Sequence, residues 1–107
     1  MSAADDQLRQ QVIEQLMTVY DPEVPVNVWD LGLIYAIAFP RAGAVTITMT
    51  LTAPGCPIAD QILDEAREAA LRVEGLEEAT VNLVFDPPWG VERMSEEAKL
   101  ELGFDIF

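Results

Sequence analysis

Residues 45–57 read VTITMTLTAPGCP, and the pattern in this stretch decides the fold. From Val45 to Thr52, apolar residues alternate with threonines, which predicts a β-strand with one apolar face and one threonine face. Pro57 suits the first position of a helix, because its missing N–H would have no partner there anyway. The stretch therefore predicts a strand that is followed by a tight turn and a helix.

Two more strands are predicted on either side of this stretch. Residues 31–39, LGLIYAIAF, are apolar on both faces, and PRAG at residues 40–43 predicts the turn of an antiparallel hairpin. The third strand is predicted over residues 80–85. Its apolar face would consist of Val81, Leu83 and Phe85. We expect the strand order 1-2-3.

A first helix is predicted from Asp5 to Tyr20, because apolar residues recur there at intervals of three or four. Asp5 or Asp6 would cap its start, and Pro22 would end it. The stripe that this helix buries would consist of Leu8, Val12, Leu16 and Val19.

Two later helices complete the pattern. The second follows Pro57 and is predicted to run to about Val73, with Gly75 as its left-handed stop. A short last helix is predicted to open at Ser95 and to end at Gly103. The buried stripe of the second helix would consist of Ile58, Ile62, Ala66, Ala69 and Val73.

The order helix-strand-strand-helix-strand-helix predicts a two-layer α+β fold, in which helices pack on a small three-stranded mixed sheet. The chain has 107 residues, of which 50% are hydrophobic. This hydrophobic fraction is enough for one core, and the length is too short for two domains. Residues 1–107 are therefore expected to form a single domain.

The charge balance excludes several classes of partner. The chain carries 19 acidic and 6 basic residues, a net charge of −13. Such a chain repels phosphate, so we expect neither nucleic acid nor a membrane surface as a partner. Residues 1–10 do not resemble a secretory signal, and the longest apolar stretch is too short to cross a bilayer. A cytoplasmic protein is expected.

The sequence has no histidine, and Cys56 is its single cysteine. The absence of histidine excludes Ser-His-Asp and Cys-His catalysis and histidine zinc sites. One thiol cannot form an internal disulfide or supply the four thiolates of a self-contained iron-sulfur site. At the junction of strand and helix, the helix dipole would stabilise a Cys56 thiolate. A small buried apolar residue is the alternative interpretation.

Four other candidate residues also have structural interpretations. Asp21 and Asp30 fit Asx-turn or cap residues in a proline-rich loop. Thr50 and Thr52 fit ordinary β-branched strand residues.

Four blocks of the sequence carry a family resemblance. They are DPEVPVNVWDLGLIY at residues 21–35, TITMTLTAPGCP at residues 46–57, LVFDPPWG at residues 83–90 and MSEEAKLELG at residues 94–103. In this order they resemble the SufT/PaaD-like family of metal-sulfur cluster biosynthesis proteins. The resemblance implies a small cytoplasmic α+β domain, often a homodimer, that acts in the maturation of iron-sulfur proteins. A cysteine-rich C-terminal segment, which PaaD-type members carry, is not found here.

The resemblance also implies functional residues. These are Asp21 and Glu23 in the first loop, Thr50 and Thr52 at the strand end, and Cys56 as the ligand of iron or of an iron-sulfur cluster. One chain supplies one thiolate and a homodimer two, whereas a cluster usually needs about four protein ligands. Any bound cluster is therefore expected to be labile, and to be bridged between subunits or completed by a partner or a small thiol.

Three hypotheses follow for the function. The first is an accessory or carrier protein of iron-sulfur cluster assembly, whose partners are other assembly proteins and client apo-proteins. The second is an adaptor that docks these partners without binding metal. The third is an enzyme with Cys56 as nucleophile. We expect no enzyme, because no histidine can accept the thiol proton and carboxylates are poorly matched to it.

The predicted topology indicates where the candidate residues lie. In a hairpin, the start of the first strand and the end of the second lie at the same end of the sheet. The loop with Asp21 and Glu23 enters the first strand, and the second strand leads to Cys56. We therefore expect all three residues to meet at that end of the sheet.

Overall fold

The computed structural model describes residues 3–20, 26–52 and 59–103, with side chains from residue 6 onward. Over this part of the chain the elements are, in order, α1 (Ala3–Leu16), β1 (Ile34–Ala38), β2 (Ala44–Met49), α2 (Ala59–Leu71), β3 (Glu78–Leu83), a 3-10 turn (Val91–Arg93) and α3 (Glu96–Leu102). The predicted α+β class and order of elements are confirmed.

The sheet has the order β1-β2-β3, as predicted. β1 and β2 pair antiparallel, and β2 and β3 pair parallel, so that Ile37, Ile47 and Val81 form one row across the sheet. A parallel pair needs a crossover connection, and α2 lies within it. In β1 the register shifts between Ile34 and Ala36, which makes Tyr35 the extra residue of a β-bulge.

The core lies between the sheet and the helices. α2 packs against β3, and α1 packs against α2. The alternation predicted for β2 buries Val45, Ile47 and Met49 on one face, because successive side chains of a strand point to opposite sides. The helices contribute their predicted stripes to this core, namely Val12 and Leu16 from α1 and Ile62, Ala66 and Ala69 from α2.

The first helix differs from its prediction at both ends. It begins at Ala3, so Asp5 and Asp6 lie inside the helix and not at its N-cap position. It ends at Leu16, well before Pro22, so the proline does not terminate it.

The early end of α1 has a local cause. The hydroxyl of Thr18 donates to the carbonyl of Gln15 at 2.6 Å, and a side chain that binds the backbone in this way competes with helical hydrogen bonds. Val19 is still buried beyond the helix, as its place in the stripe predicts, whereas Tyr20 is 52% exposed.

The strand boundaries also shift. β1 starts at Ile34 and not at residue 31, because the preceding residues form a turn. β3 spans Glu78–Leu83, so Phe85, predicted to lie on its apolar face, follows the strand and is 40% exposed. Pro57 and Ile58 lie outside the described residues.

The last helix agrees with its prediction. The hydroxyl of Ser95 accepts a hydrogen bond from the N–H of Ala98 at 3.1 Å, and Gly103 ends the helix with a left-handed φ of 83°. α2 ends at Leu71, before the predicted Val73, and Gly75, predicted as its stop, lies in the turn beyond the helix with a left-handed φ of 96°. The Ser95 cap and the Gly103 stop were predictable because they depend on the local sequence alone.

Candidate functional site

A ladder of backbone hydrogen bonds joins the end of α1 to the end of β2. The N–H of Val28 donates to the carbonyl of Val19 at 2.8 Å, and the N–H of Leu33 donates to the carbonyl of Val28 at 3.1 Å. The N–H of Thr50 donates in turn to the carbonyl of Leu33 at 2.8 Å. Tyr20 and Val26, the described residues that flank residues 21–25, therefore lie toward the end of the sheet where β2 finishes.

Thr50 and Thr52, the candidate residues that the structure describes, have different environments. Thr50 is fully buried, and its hydroxyl lies 3.5 Å from the carbonyl oxygen of Leu51, whereas Thr52 is exposed. The predicted alternation is wrong beyond Met49, because the chain leaves the sheet there and buries Thr50 and Leu51 in succession. Thr50 therefore supports the fold, and the side chain of Thr52 is accessible to a ligand.

The turn that precedes β1 is fixed by its own side chains. Asn27 donates through Nδ2 to Oδ2 of Asp30 at 2.8 Å, and the N–H of Asp30 donates to Oδ1 of Asn27 at 2.9 Å. Asn27 is buried although it is polar, because these bonds satisfy its amide. Asp30 is thus a turn residue, one of the two interpretations that the sequence left open.

Residues 84–95, here called the crossing segment, run from the end of β3 back to this turn. The indole N–H of Trp89 donates to the carbonyl of Leu31 at 2.7 Å. The N–H of Ser95 donates to the carbonyl of Asp30 at 2.8 Å. The crossing segment therefore bonds to the turn at two points and closes this end of the sheet.

Gly32 is the point of closest approach between the turn and the crossing segment. It has a φ of 78°, and a Cβ built on it would overlap the main-chain carbonyl of Arg93. The Arg93 side chain lies over the ring of Tyr35, with Cζ 4.4 Å from the ring centroid. The Tyr35 hydroxyl donates to the carbonyl of Pro87 at 2.8 Å, so the bulged residue of β1 also binds the crossing segment.

A cleft of about 180 Å³ lies beside the turn, between it and α3. Because carboxylates line this cleft, it is a region of negative potential that attracts cations. The residues around it include the two flanks of residues 21–25 and three acidic side chains: Tyr20, Val26, Asp30, Glu97 and Glu101.

Asp21, Glu23 and Cys56 lie outside the described residues, so their meeting at this end of the sheet stays a prediction. Within residues 3–20, 26–52 and 59–103, no three His, Cys, Asp or Glu side chains form a group that could hold a metal ion. In the same ranges, no helix has the length and apolar character needed to span a membrane.

The roles of Gly32, Trp89 and Arg93 are not predicted by the sequence analysis. The role of Gly32 could have been predicted from its place inside the apolar run of residues 31–39, since such a glycine often marks a close backbone approach. The contacts of Arg93 leave no local signal, because both of its partners are distant in sequence.

Comparison with known proteins agrees with this geometry. The family model described as iron-sulfur cluster assembly protein matches residues 9–83. A Porphyromonas gingivalis protein named Fe-S protein maturation auxiliary factor is 51% identical over 92% of this chain and 93% of its own length. The Bacillus subtilis Fe-S protein maturation auxiliary factor YitW is 37% identical over 92% of this chain and 97% of its own.

A solved structure extends the likeness to three dimensions. The crystal structure of a domain of unknown function, DUF59, from Bacillus anthracis matches with a TM-score of 0.87 and 36% identity, over 95% of this chain and 98% of that one. The sequence blocks, the sheet order and the family match all agree. The chain belongs to the iron-sulfur cluster assembly protein family.

Proposed function

We propose that this chain is an accessory factor of iron-sulfur protein maturation that carries iron or a labile iron-sulfur cluster as cargo on the Cys56 thiolate. The accessory role follows from the family and from relatives named maturation auxiliary factors. Its partners would be other assembly proteins and client apo-proteins. A cytoplasmic location suits the role, because a lone thiol stays reduced there.

The hydrogen-bond ladder from Val19 to Thr50 is the observation that supports this site. Asp21 and Glu23 belong to residues 21–25. The ladder holds the residues on either side of this segment at the end of the sheet where the chain continues toward Cys56. The acidic cleft beside Tyr20 and Val26 supports a cationic cargo, because a cation gains from nearby carboxylates and an anion does not.

Each proposed site residue has a distinct role. Cys56 would lose its thiol proton on binding iron and supply one ligand. Asp21 and Glu23 would offer oxygen ligands or stabilise the cation, and the exposed Thr52 would donate a hydroxyl hydrogen bond to the cargo. Thr50 would act indirectly, since it is fully buried.

The ligand count limits how tightly such a cargo is held. One chain offers one thiolate, and iron-sulfur clusters usually take about four protein ligands. The other positions would be filled by a second copy of the chain, a partner protein or a small thiol. A cluster held in this way is labile, which suits transfer to a client.

Anaerobic reconstitution with ferrous iron and sulfide tests the proposal. We expect the wild type to gain visible absorbance and to retain iron and sulfide through gel filtration, and Cys56→Ser to lose both while remaining folded. Asp21→Asn and Glu23→Gln should retain less iron. Asp64→Asn and Glu68→Gln, which make the same charge changes on the exposed face of α2, should behave like the wild type.

The same experiment separates a carrier from an adaptor. An adaptor would give no cysteine-dependent absorbance, while immobilised protein would still capture assembly proteins in wild-type and Cys56→Ser forms alike. That pair of results would overturn the carrier proposal and leave the accessory role in place.

A further inference from the structure

The two edges of the sheet are protected to different degrees. β1 and β3 are the edge strands, and an edge strand presents backbone N–H and C=O groups that can pair with another strand. Natural proteins block such edges with charged residues or proline. β3 begins with Glu78, whereas the β1 sequence, IYAIA, contains neither a charged residue nor a proline.

Arg93 stands beside the start of the β1 edge in a fixed position. Its N–H donates to the carbonyl of Gly90 at 3.0 Å, its carbonyl packs against Gly32, and its guanidinium stacks on Tyr35. The Arg93 side chain is exposed and forms no ion pair within the part of the chain that the structure describes. Its planar set of N–H donors is therefore oriented, and no carboxylate of the described residues pairs with it.

The charges around β1 favour an acidic partner over a basic one. The molecule has a net charge of −13, and a basic partner would be attracted to exposed carboxylates such as those of Asp60, Asp64 and Glu68 on α2. At the start of β1 the Arg93 guanidinium stacks on Tyr35, and a guanidinium binds carboxylates with two parallel hydrogen bonds. At the start of β3 the Arg41 guanidinium already pairs with Glu78, so it is less available to the same partner.

We propose that the edge of β1 that faces away from β2 binds an extended, carboxylate-bearing segment of a partner protein. The segment adds to the sheet as a fourth strand through main-chain hydrogen bonds, and one of its carboxylates pairs with Arg93. The proposed surface shares no residue with the proposed cargo site, so the two proposals can be tested separately.

Peptide titration followed by amide NMR tests this surface. The probes are three blocked peptides of alternating threonine and valine that carry glutamate, glutamine or lysine at both ends. We expect saturable shifts at Tyr35–Ala38 with the glutamate peptide, which should bind about tenfold more tightly than the lysine peptide, because an oriented Arg–carboxylate pair is charge-assisted. Arg93→Gln should abolish the difference, and Arg93→Lys should restore only part of it.

Two controls separate the site from net charge and from self-association. Arg67→Gln makes the same charge change on α2 and should leave the preference for glutamate intact. Equal binding of the three peptides, or shifts at Glu78–Leu83 instead, would overturn the proposal. A dimer detected by light scattering would also overturn it if Ala38→Lys dissociated the dimer and Thr80→Lys did not, because a second copy would then occupy the β1 edge. Ala38 and Thr80 are matched for this test, since both are exposed and they flank Thr46 on β1 and β3.

Discussion

Where β1 turns into β2, the sheet ends in an exposed turn and a surface ion pair between Arg41 and Glu78, whose side chains are 62% and 57% exposed. At the opposite end, the crossing segment bonds to the turn before β1 and packs directly on Gly32. We call these the turn end and the candidate-site end.

This difference follows from what each end must do. The turn end reverses the chain between two antiparallel strands, for which a short polar turn suffices. It also receives the connection from α2 to β3, whose Glu77 and Glu78 N–H groups donate to the carbonyl of Gly43. The candidate-site end receives the loop after α1, the end of β2 and the end of β3. The buried backbone N–H and C=O groups of these three connections need hydrogen-bond partners. The hydrogen bonds that the crossing segment makes to Leu31, Asp30 and Tyr35 therefore lie at the end where the proposed cargo site is expected.

Gly32→Ala and Gly43→Ala should show the largest contrast between the two ends. Both glycines are left-handed, with φ of 78° and 79°, and this conformation costs any other residue about 1–2 kcal/mol. At Gly43 a Cβ meets its nearest atom at an ordinary 3.7 Å. At Gly32 it overlaps the Arg93 backbone, so we expect a total loss above about 4 kcal/mol.

Urea unfolding followed by circular dichroism measures both variants. Losses of equal size at the two glycines would show that the crossing segment moves away at little cost. The comparison between the two ends would then fail, because the approach of Arg93 to Gly32 is its strongest element.

The second prediction separates the core, which both ends share, from the thiol at one end. Ile47 is fully buried, so Ile47→Ala should lose about 2–4 kcal/mol through the cavity that it leaves. Leu83 is only partly buried, and Leu83→Ala should lose less. Cys56→Ser should leave the free energy of unfolding nearly unchanged while removing cargo binding. If Cys56→Ser unfolds as readily as Ile47→Ala, Cys56 is a packing residue.

The sequence predicts best what depends on residues close together in the chain. The β2 alternation, the Ser95 cap and the Gly103 stop are each decided within a few residues, and the structure confirms them. The strand order was predictable because a hairpin and one crossover allow few arrangements of three strands.

The errors arise where distant residues decide the outcome. Residues 31–33 were predicted as strand because they are apolar. In the structure they belong to the turn on which the crossing segment packs, and the side chains of Leu31 and Leu33 are buried there. Thr50 read as a polar-face residue, and it is buried because the chain leaves the sheet after Met49. The site itself was predicted by family resemblance, since neither periodicity nor charge assigns a ligand role to Asp21 or Glu23.

Trp89→Phe tests one bond at the candidate-site end. The change removes the indole N–H that Leu31 accepts and leaves a partly buried carbonyl without its partner, which should cost about 1–2 kcal/mol. Trp29 is also half-buried against the core, but its indole makes no hydrogen bond among the described residues. Trp29→Phe should therefore cost less in the same denaturation experiment. The reverse order would show that packing, and not the hydrogen bond, holds the crossing segment.

The smallest effect is expected at the turn end, from the ion pair between Arg41 and Glu78. Exposed pairs interact through water and are screened by salt, with a Debye length of about 8 Å at physiological ionic strength, so their coupling is typically below about 1 kcal/mol.

Arg41→Gln changes the net charge from −13 to −14 and Glu78→Gln changes it to −12, whereas the double variant returns to −13. A double-mutant cycle at low and high salt therefore separates the pair from the repulsion of the whole molecule. We expect a coupling of about 0.5 kcal/mol that falls as salt is added. A coupling above about 1 kcal/mol that persists at high salt would mean that the turn end is held as firmly as the candidate-site end.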